Sequence, residues 1–242
     1  LRFWNFKVIA ATDKEPESAE LRIDGEIIDD DDAWLYEWFG ISHTAANAFR
    51  AELKKLSGKP LTVWIDSYGG SVFAAAGMYN ALMEHKGGVT VKIDGKAMSA
   101  ATIVAMAGEK IYMSPAAVMM VHNPLCEVYG YASDLRKVAD VLDEIKESIM
   151  NAYEIKTGRT RDDLANMMDA ETYMSAGTAI KEGFADEMLY SDAKPINMLY
   201  DRKKIANSDT NAMKRMVALY KPPEAPDNTA VLKAKLALEC EL

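Results

Sequence analysis

The chain has 242 residues, 49% apolar and 27% charged, with a formal net charge of −9 at pH 7. This suits one ordinary core plus appendages. The acidic balance argues against a nucleic-acid groove as the main function, and no apolar run has the length of a membrane-crossing helix.

The two cysteines, Cys126 and Cys240, lie far apart without metal-ligand spacing, so no disulfide framework is expected and a reducing compartment fits. The start, Leu1-Arg-Phe-Trp4, has neither an initiator Met nor the apolar core of a secretory signal, which predicts a processed or excised chain. Charge is uneven: residues 191–242 hold nine Lys/Arg against seven Asp/Glu, leaving a net −11 on residues 1–190.

Residues 20–28 alternate apolar and polar, as a strand does. The acidic run Asp29 to Asp32 reads as a solvated loop, with cation recruitment as the alternative. Ala46, Phe49, Leu53 and Leu56 keep helical spacing, and Leu61 to Ile65 reads as a buried strand. Helix is expected over 71–85, strand over 89–93, a small-residue helix over 99–107, and short strands at 111–112 and 117–121. Strands alternating with helices imply α/β units around a mostly parallel sheet.

A longer helix is predicted over 132–157, where Leu135, Val138, Leu142, Ile145, Ile149 and Ala152 step by three and four. That narrow stripe fits either a seam against a partner or a surface helix on its own domain. Thr160-Arg-Asp-Asp163 is a capping signal for another helix. After residue 190 the pattern loosens, and Pro222, Pro223 and Pro226 break the chain. The expected division is an N-terminal arm (1–19), a catalytic domain (20–190) and a flexible or partner-dependent extension (191–242).

Three segments carry candidate chemistry. Ser99, in Gly95-Lys-Ala-Met-Ser-Ala-Ala101, stands at a strand-to-helix turn, where it is either a helix cap or an exposed nucleophile. The glycines of the Gly-x-Ser-x-Gly elbow are replaced by Ala97 and Ala101. His122 ends an apolar strand before Asn123-Pro124, a place for either a structural imidazole or a general base. His43 and His85 are expected at the surface. Asp66-Ser-Tyr-Gly-Gly-Ser-Val72 closes a strand, and its glycines Gly69 and Gly70 expose N–H groups suited either to a plain turn or to an oxyanion.

These segments, followed by Tyr173-Met-Ser-Ala176 and Glu182-Gly-Phe-Ala-Asp186, occur in an order that resembles the Clp protease proteolytic-subunit family over residues 20–190. His122-Asn-Pro, Glu171-Thr-Tyr-Met-Ser-Ala176, the insertion at 29–42 and the C-terminal extension resemble more narrowly its phage-encoded head-maturation (prohead) branch. The resemblance implies an α/β Clp/crotonase-like fold of repeated ββα-type units, with a protruding handle helix at 132–157. It implies Ser99 as nucleophile, His122 as general base, and the Gly69 and Ala100 N–H groups, with Gly70 beside them, as oxyanion and substrate-binding donors. Glu171 falls where the family has its catalytic Asp, and Asp169 is the alternative third member. Tyr68 stands where the cellular enzymes carry proline.

The implied activity is peptide-bond hydrolysis through an acyl-enzyme, without metal or cofactor, by a homo-oligomeric ring. Capsid or scaffold proteins would be the substrates and portal or capsid components possible partners, in the host cytoplasm or the assembling prohead, with no nucleic acid and no membrane. The competing readings are a non-catalytic capsid assembly protein and a crotonase-like acyl-CoA enzyme.

Overall fold

The computed structural model describes residues 7–11, 17–56 and 58–190. The proposed extension 191–242 lies outside the described residues. In chain order the elements are β1 (Lys7–Ile9), β2 (Ser18–Ile28), a 3-10 turn (Asp30–Asp32), α1 (Ala33–Phe39), β3 (His43–Ala45), α2 (Ala46–Lys55), β4 (Leu61–Gly70), α3 (Val72–Met83) and β5 (Val89–Met98). They continue with α4 (Ala100–Ala105), β6 (Lys110–Met113), β7 (Val118–Val121), α5 (Ala132–Thr157), α6 (Arg161–Asp169), β8 (Thr172–Ser175), α7 (Ala176–Lys181) and β9 (Glu187–Met188).

The sheet runs β1-β2-β4-β5-β6-β9, with β2, β4, β5, β6 and β9 mutually parallel and β1 antiparallel at the edge. Alternation along the strands explains the layering. Leu21, Ile23, Val63, Ile65, Val91 and Ile93 are fully buried in the same core cluster as Ala75, Met78 and Leu82 of α3. The intervening residues form a polar, half-exposed face, where Arg22 reaches Asp94 at 2.7 Å and Lys92 lies 4.9 Å from the Trp64 ring.

β4 and β5 run five residues past their expected ends. Their register shifts between Ile65 and Ser67, and a matching irregularity in the β2–β4 pairing lies between Asp24 and Glu26. Such irregularities bend and re-aim strands. Beyond the bend β5 leaves β6 and pairs instead with β7, Lys96↔Val118 through Met98↔Met120. β7 in turn takes β8 as an antiparallel partner.

α5 has the expected bounds: Asp134 Oδ2 accepts the Tyr131 N–H at 3.0 Å, and Gly158 ends the helix in the left-handed conformation (φ 67°). Its stripe divides in two. Ile149 and Ala152 are buried, as is Tyr153 beside them, and Ile145 packs on the core; Val138 and Leu142 are half-buried, and Leu135 is exposed, as is Val141 beside the stripe. The C-terminal half of the helix therefore lies on its own domain. Thr160 caps α6 as expected, its Oγ1 accepting the Asp163 N–H at 3.2 Å.

Two expectations need correction. His43 is buried, because β3 joins β2 in parallel and His43 stacks at a tilt on Tyr36; only His85 is part-exposed. The Asp29–Asp32 run is only partly a solvated loop, since Asp29 accepts the Ser71 hydroxyl at 2.7 Å and Asp30 accepts the Asn47 N–H at 2.9 Å.

Candidate active site

β5 and β7 bring the first two candidate residues together. The Ser99 N–H donates to Met120 O at 2.9 Å, extending the β5–β7 pairing by one residue. This places Ser99 beside the end of β7, from which His122 projects. Ser99 Oγ and His122 Nε2 are 2.6 Å apart. Ser99 itself has φ 53° and ψ −128°, a conformation that costs a residue with a Cβ of order 1–3 kcal/mol and persists only where surroundings enforce it. Here β5 and α4 enforce it from either side.

His122 is half-buried, and that burial lowers its pKa from the ordinary value; the negative charge of Glu171 opposes the shift. A neutral ring at neutral pH is the state a general base requires. Glu171 follows α6 in a left-handed turn (φ 47°) and exerts this field on His122 without a hydrogen bond to the ring. Asp169 is engaged elsewhere: its Oδ1 accepts Lys146 Nζ of α5 at 2.6 Å and Asn123 Nδ2 at 2.8 Å. Those two hydrogen bonds hold the Asp169 carboxyl below its usual range. Asn123 and Lys146 were absent from the sequence-level site. The first could have been suspected from its place next to His122, the second only from the packing of α5.

The glycine segment lies against the nucleophile. Gly69 has φ 101°, and a Cβ there would fall 2.6 Å from Met98 O and 2.8 Å from Ala100 N. Only glycine permits this approach. The Gly69 N–H donates to Ser67 Oγ at 3.1 Å, and the Ser71 N–H donates to Ile27 O at 2.8 Å.

Among the described residues, no group of three or more His, Cys, Asp or Glu is placed to hold a metal ion, and no helix is long and apolar enough to cross a membrane. The arrangement can do acyl-transfer chemistry: a hydroxyl on an imidazole, a carboxylate acting on that imidazole, and backbone donors beside the hydroxyl.

Comparison with known proteins gives the family. The model of the Clp protease family matches residues 38–192. The chain is 28% identical over 160 residues to an ATP-dependent Clp protease proteolytic subunit of Porphyromonas gingivalis, covering 64% of this chain and 72% of the relative. It is 30% identical over 155 residues to the subunit of the same description from Bacteroides fragilis, covering 62% and 75%. Among solved structures, a point mutant of ClpP1 from Listeria monocytogenes superposes with a TM-score of 0.59 at 23% identity, over 70% of this chain and 90% of that one, a likeness of fold. The sheet, its irregular strands and the projecting α5 are thus the Clp/crotonase-like fold, and the chain belongs to the Clp protease family of serine-type peptidases.

Proposed function

We propose that this chain is an endopeptidase in which Ser99 attacks a peptide carbonyl, His122 takes the hydroxyl proton and delivers it to the leaving amine, and Glu171 stabilises the imidazolium between those steps. The observation that carries this reading is the 2.6 Å contact between Ser99 Oγ and His122 Nε2. Glu171 is preferred to Asp169 because its charge acts on the ring, while Asp169 is held by Lys146 and Asn123. The hydrogen bond from the imidazole to Glu171 would form as substrate binds, when catalytic hydrogen bonds tighten.

The tetrahedral oxyanion is received by the Ala100 N–H and one N–H of the double glycine. The resemblance assigns that second donor to Gly69, whose lack of a side chain also permits its close approach to Ser99, with Gly70 beside it. The acyl-enzyme is then hydrolysed by water, with His122 again moving the proton.

Clp proteases act on polypeptides as oligomeric rings. For this chain we propose a homo-oligomer joined partly through the exposed half of α5, an acidic catalytic body ending near residue 190, and a detachable basic extension over 191–242. The head-maturation features of the sequence, His122-Asn-Pro and the segment 29–42 that carries the Asp30–Asp32 turn and α1, favour phage capsid or scaffold proteins as substrates, with portal or capsid components as partners, in the host cytoplasm or the assembling head. Incubating the protein with a candidate capsid or scaffold protein and mapping the products by mass tests this reading. Discrete cuts that disappear with Ser99→Ala support it. An uncut capsid and scaffold alongside efficient cleavage of unrelated unfolded proteins would assign the enzyme to general proteolysis instead.

A further inference from the structure

Three buried groups behind Ser99 have no part in the chemistry described so far. Thr102 Oγ1 donates to Ser99 O at 2.5 Å, and the Thr102 N–H reaches the same carbonyl at 2.9 Å. Thr102 Oγ1 in turn lies 2.5 Å from the hydroxyl of Tyr153 on α5. A threonine hydroxyl has one proton. Since that proton goes to Ser99 O, Tyr153 is the donor in the second contact. Thr102 is fully buried, Tyr153 is 1% exposed, and the Tyr153 ring is fixed edge-on against Phe184 at 5.4 Å. Burial raises the Tyr153 pKa well above the ordinary value, so this donor keeps its proton at every working pH.

The peptide group explains what such a relay does. The Ser99 carbonyl and the Ala100 N–H belong to one rigid trans plane and point in opposite directions. Fixing the carbonyl inward, toward Thr102 and Tyr153, turns the Ala100 N–H outward, to the side of the Ser99 hydroxyl. Ser99 is also held at φ 53°, from which a loosely anchored peptide would relax. A preorganised donor aimed at the developing charge is worth far more than one that must reorient.

We propose that Thr102 and Tyr153 are positioning residues, which aim the Ala100 N–H at the oxyanion by pinning the Ser99 carbonyl to α5. The inference rests on the assignment of Ser99 as nucleophile and the Ala100 N–H as oxyanion donor. It makes the buried end of α5 part of the catalytic apparatus: a shift of that helix is transmitted to the oxyanion donor through two hydrogen bonds.

The test is steady-state kinetics of the full-length assembly on a fluorogenic peptide that the wild type cleaves. Thr102→Val and Tyr153→Phe keep the shape and remove the hydroxyls. Each should lower kcat by about tenfold or more while KM changes by less than about twofold, because the loss falls on the transition state. Thr102→Ser, which keeps the donor, should restore most of kcat. The double variant Thr102→Val with Tyr153→Phe should be no slower than Thr102→Val alone, since Tyr153 acts through Thr102. A purely structural role would lower the melting temperature and leave kcat at 25 °C in place. Folded Tyr153→Phe with wild-type kcat, or Thr102→Ser as slow as Thr102→Val, overturns the proposal. Ser99→Ala, assayed in parallel, separates the two levels. Turnover by Ser99→Ala defeats the nucleophile assignment, whereas an inactive Ser99→Ala beside fully active hydroxyl variants defeats only the relay.

Discussion

Lys146 Nζ lies 2.6 Å from Asp169 Oδ1, and this pairing joins the middle of α5 to the end of α6 just ahead of Glu171. It commits one of two nearby carboxylates to a lysine and leaves the other to act on His122.

The two carboxylates should therefore differ sharply on substitution. Glu171→Gln is expected to reduce kcat/KM by roughly 10³–10⁴-fold, the scale seen when a triad acid is made neutral. Asp169→Asn loses an exposed ion pair and should stay within about threefold of wild type. Kinetics of the two purified variants decide the matter, and the reverse ranking would give the role to Asp169.

The pH dependence follows from His122. Its pKa is lowered by burial, so the ring stays neutral, and able to accept a proton, to a lower pH than an ordinary histidine. The acid limb of kcat/KM should have its midpoint below the ordinary value of 6.5. Glu171 is the group that raises the pKa, so Glu171→Gln should move the His122 titration to still lower pH. NMR titration of the imidazole in a Ser99→Ala background measures both. An upward movement on removing Glu171 would show that its charge does not act on the ring.

How far this site was legible in the sequence depended on what fixes each part. The bounds of α5 were readable because apolar residues recur at helical spacing and Gly158 stops the run. α1 was not, because Trp34, Leu35, Trp38 and Phe39 are all exposed and leave no one-sided stripe. β4 and β5 were read as ending at Ile65 and Ile93, since alternation falters at Asp66 and at Asp94-Gly95, where the strands bend but continue. The burial of His43 depends on β3 pairing with β2, a contact that local pattern does not report. Glu171 is preferred to Asp169 in the sequence only through the family resemblance, since the two carboxylates lie two residues apart. A left-handed turn at Glu171 and a lysine on a separate helix separate them.

Gly69 should not tolerate a side chain. The Cβ of Gly69→Ala would meet Met98 O and Ala100 N at 2.6 and 2.8 Å, in the space beside the proposed oxyanion donor. Loss of a working oxyanion donor costs on the order of 10²–10³ in kcat. Gly69→Ala should lose at least that much while still sedimenting as the wild-type assembly. A variant with normal kcat would place the oxyanion elsewhere.

The exposed half of α5 provides a test of assembly. Leu135 and Val141 are 44% and 55% exposed in the protomer, so Leu135→Asp with Val141→Asp should leave the fold intact. If this surface joins subunits, the double variant sediments as a smaller species and loses activity with it. A wild-type chain that sediments as a fully active monomer would contradict the ring.

The central claim is that Ser99 is the nucleophile, and labelling with a serine-directed fluorophosphonate tests it most directly. The account predicts stoichiometric labelling of the wild type at Ser99, located by peptide mass mapping. It also predicts no labelling and no peptide hydrolysis in a Ser99→Ala chain that folds and assembles normally, and strongly slowed labelling in His122→Ala. Substantial hydrolysis by purified Ser99→Ala, or labelling of the wild type at another serine, would contradict it.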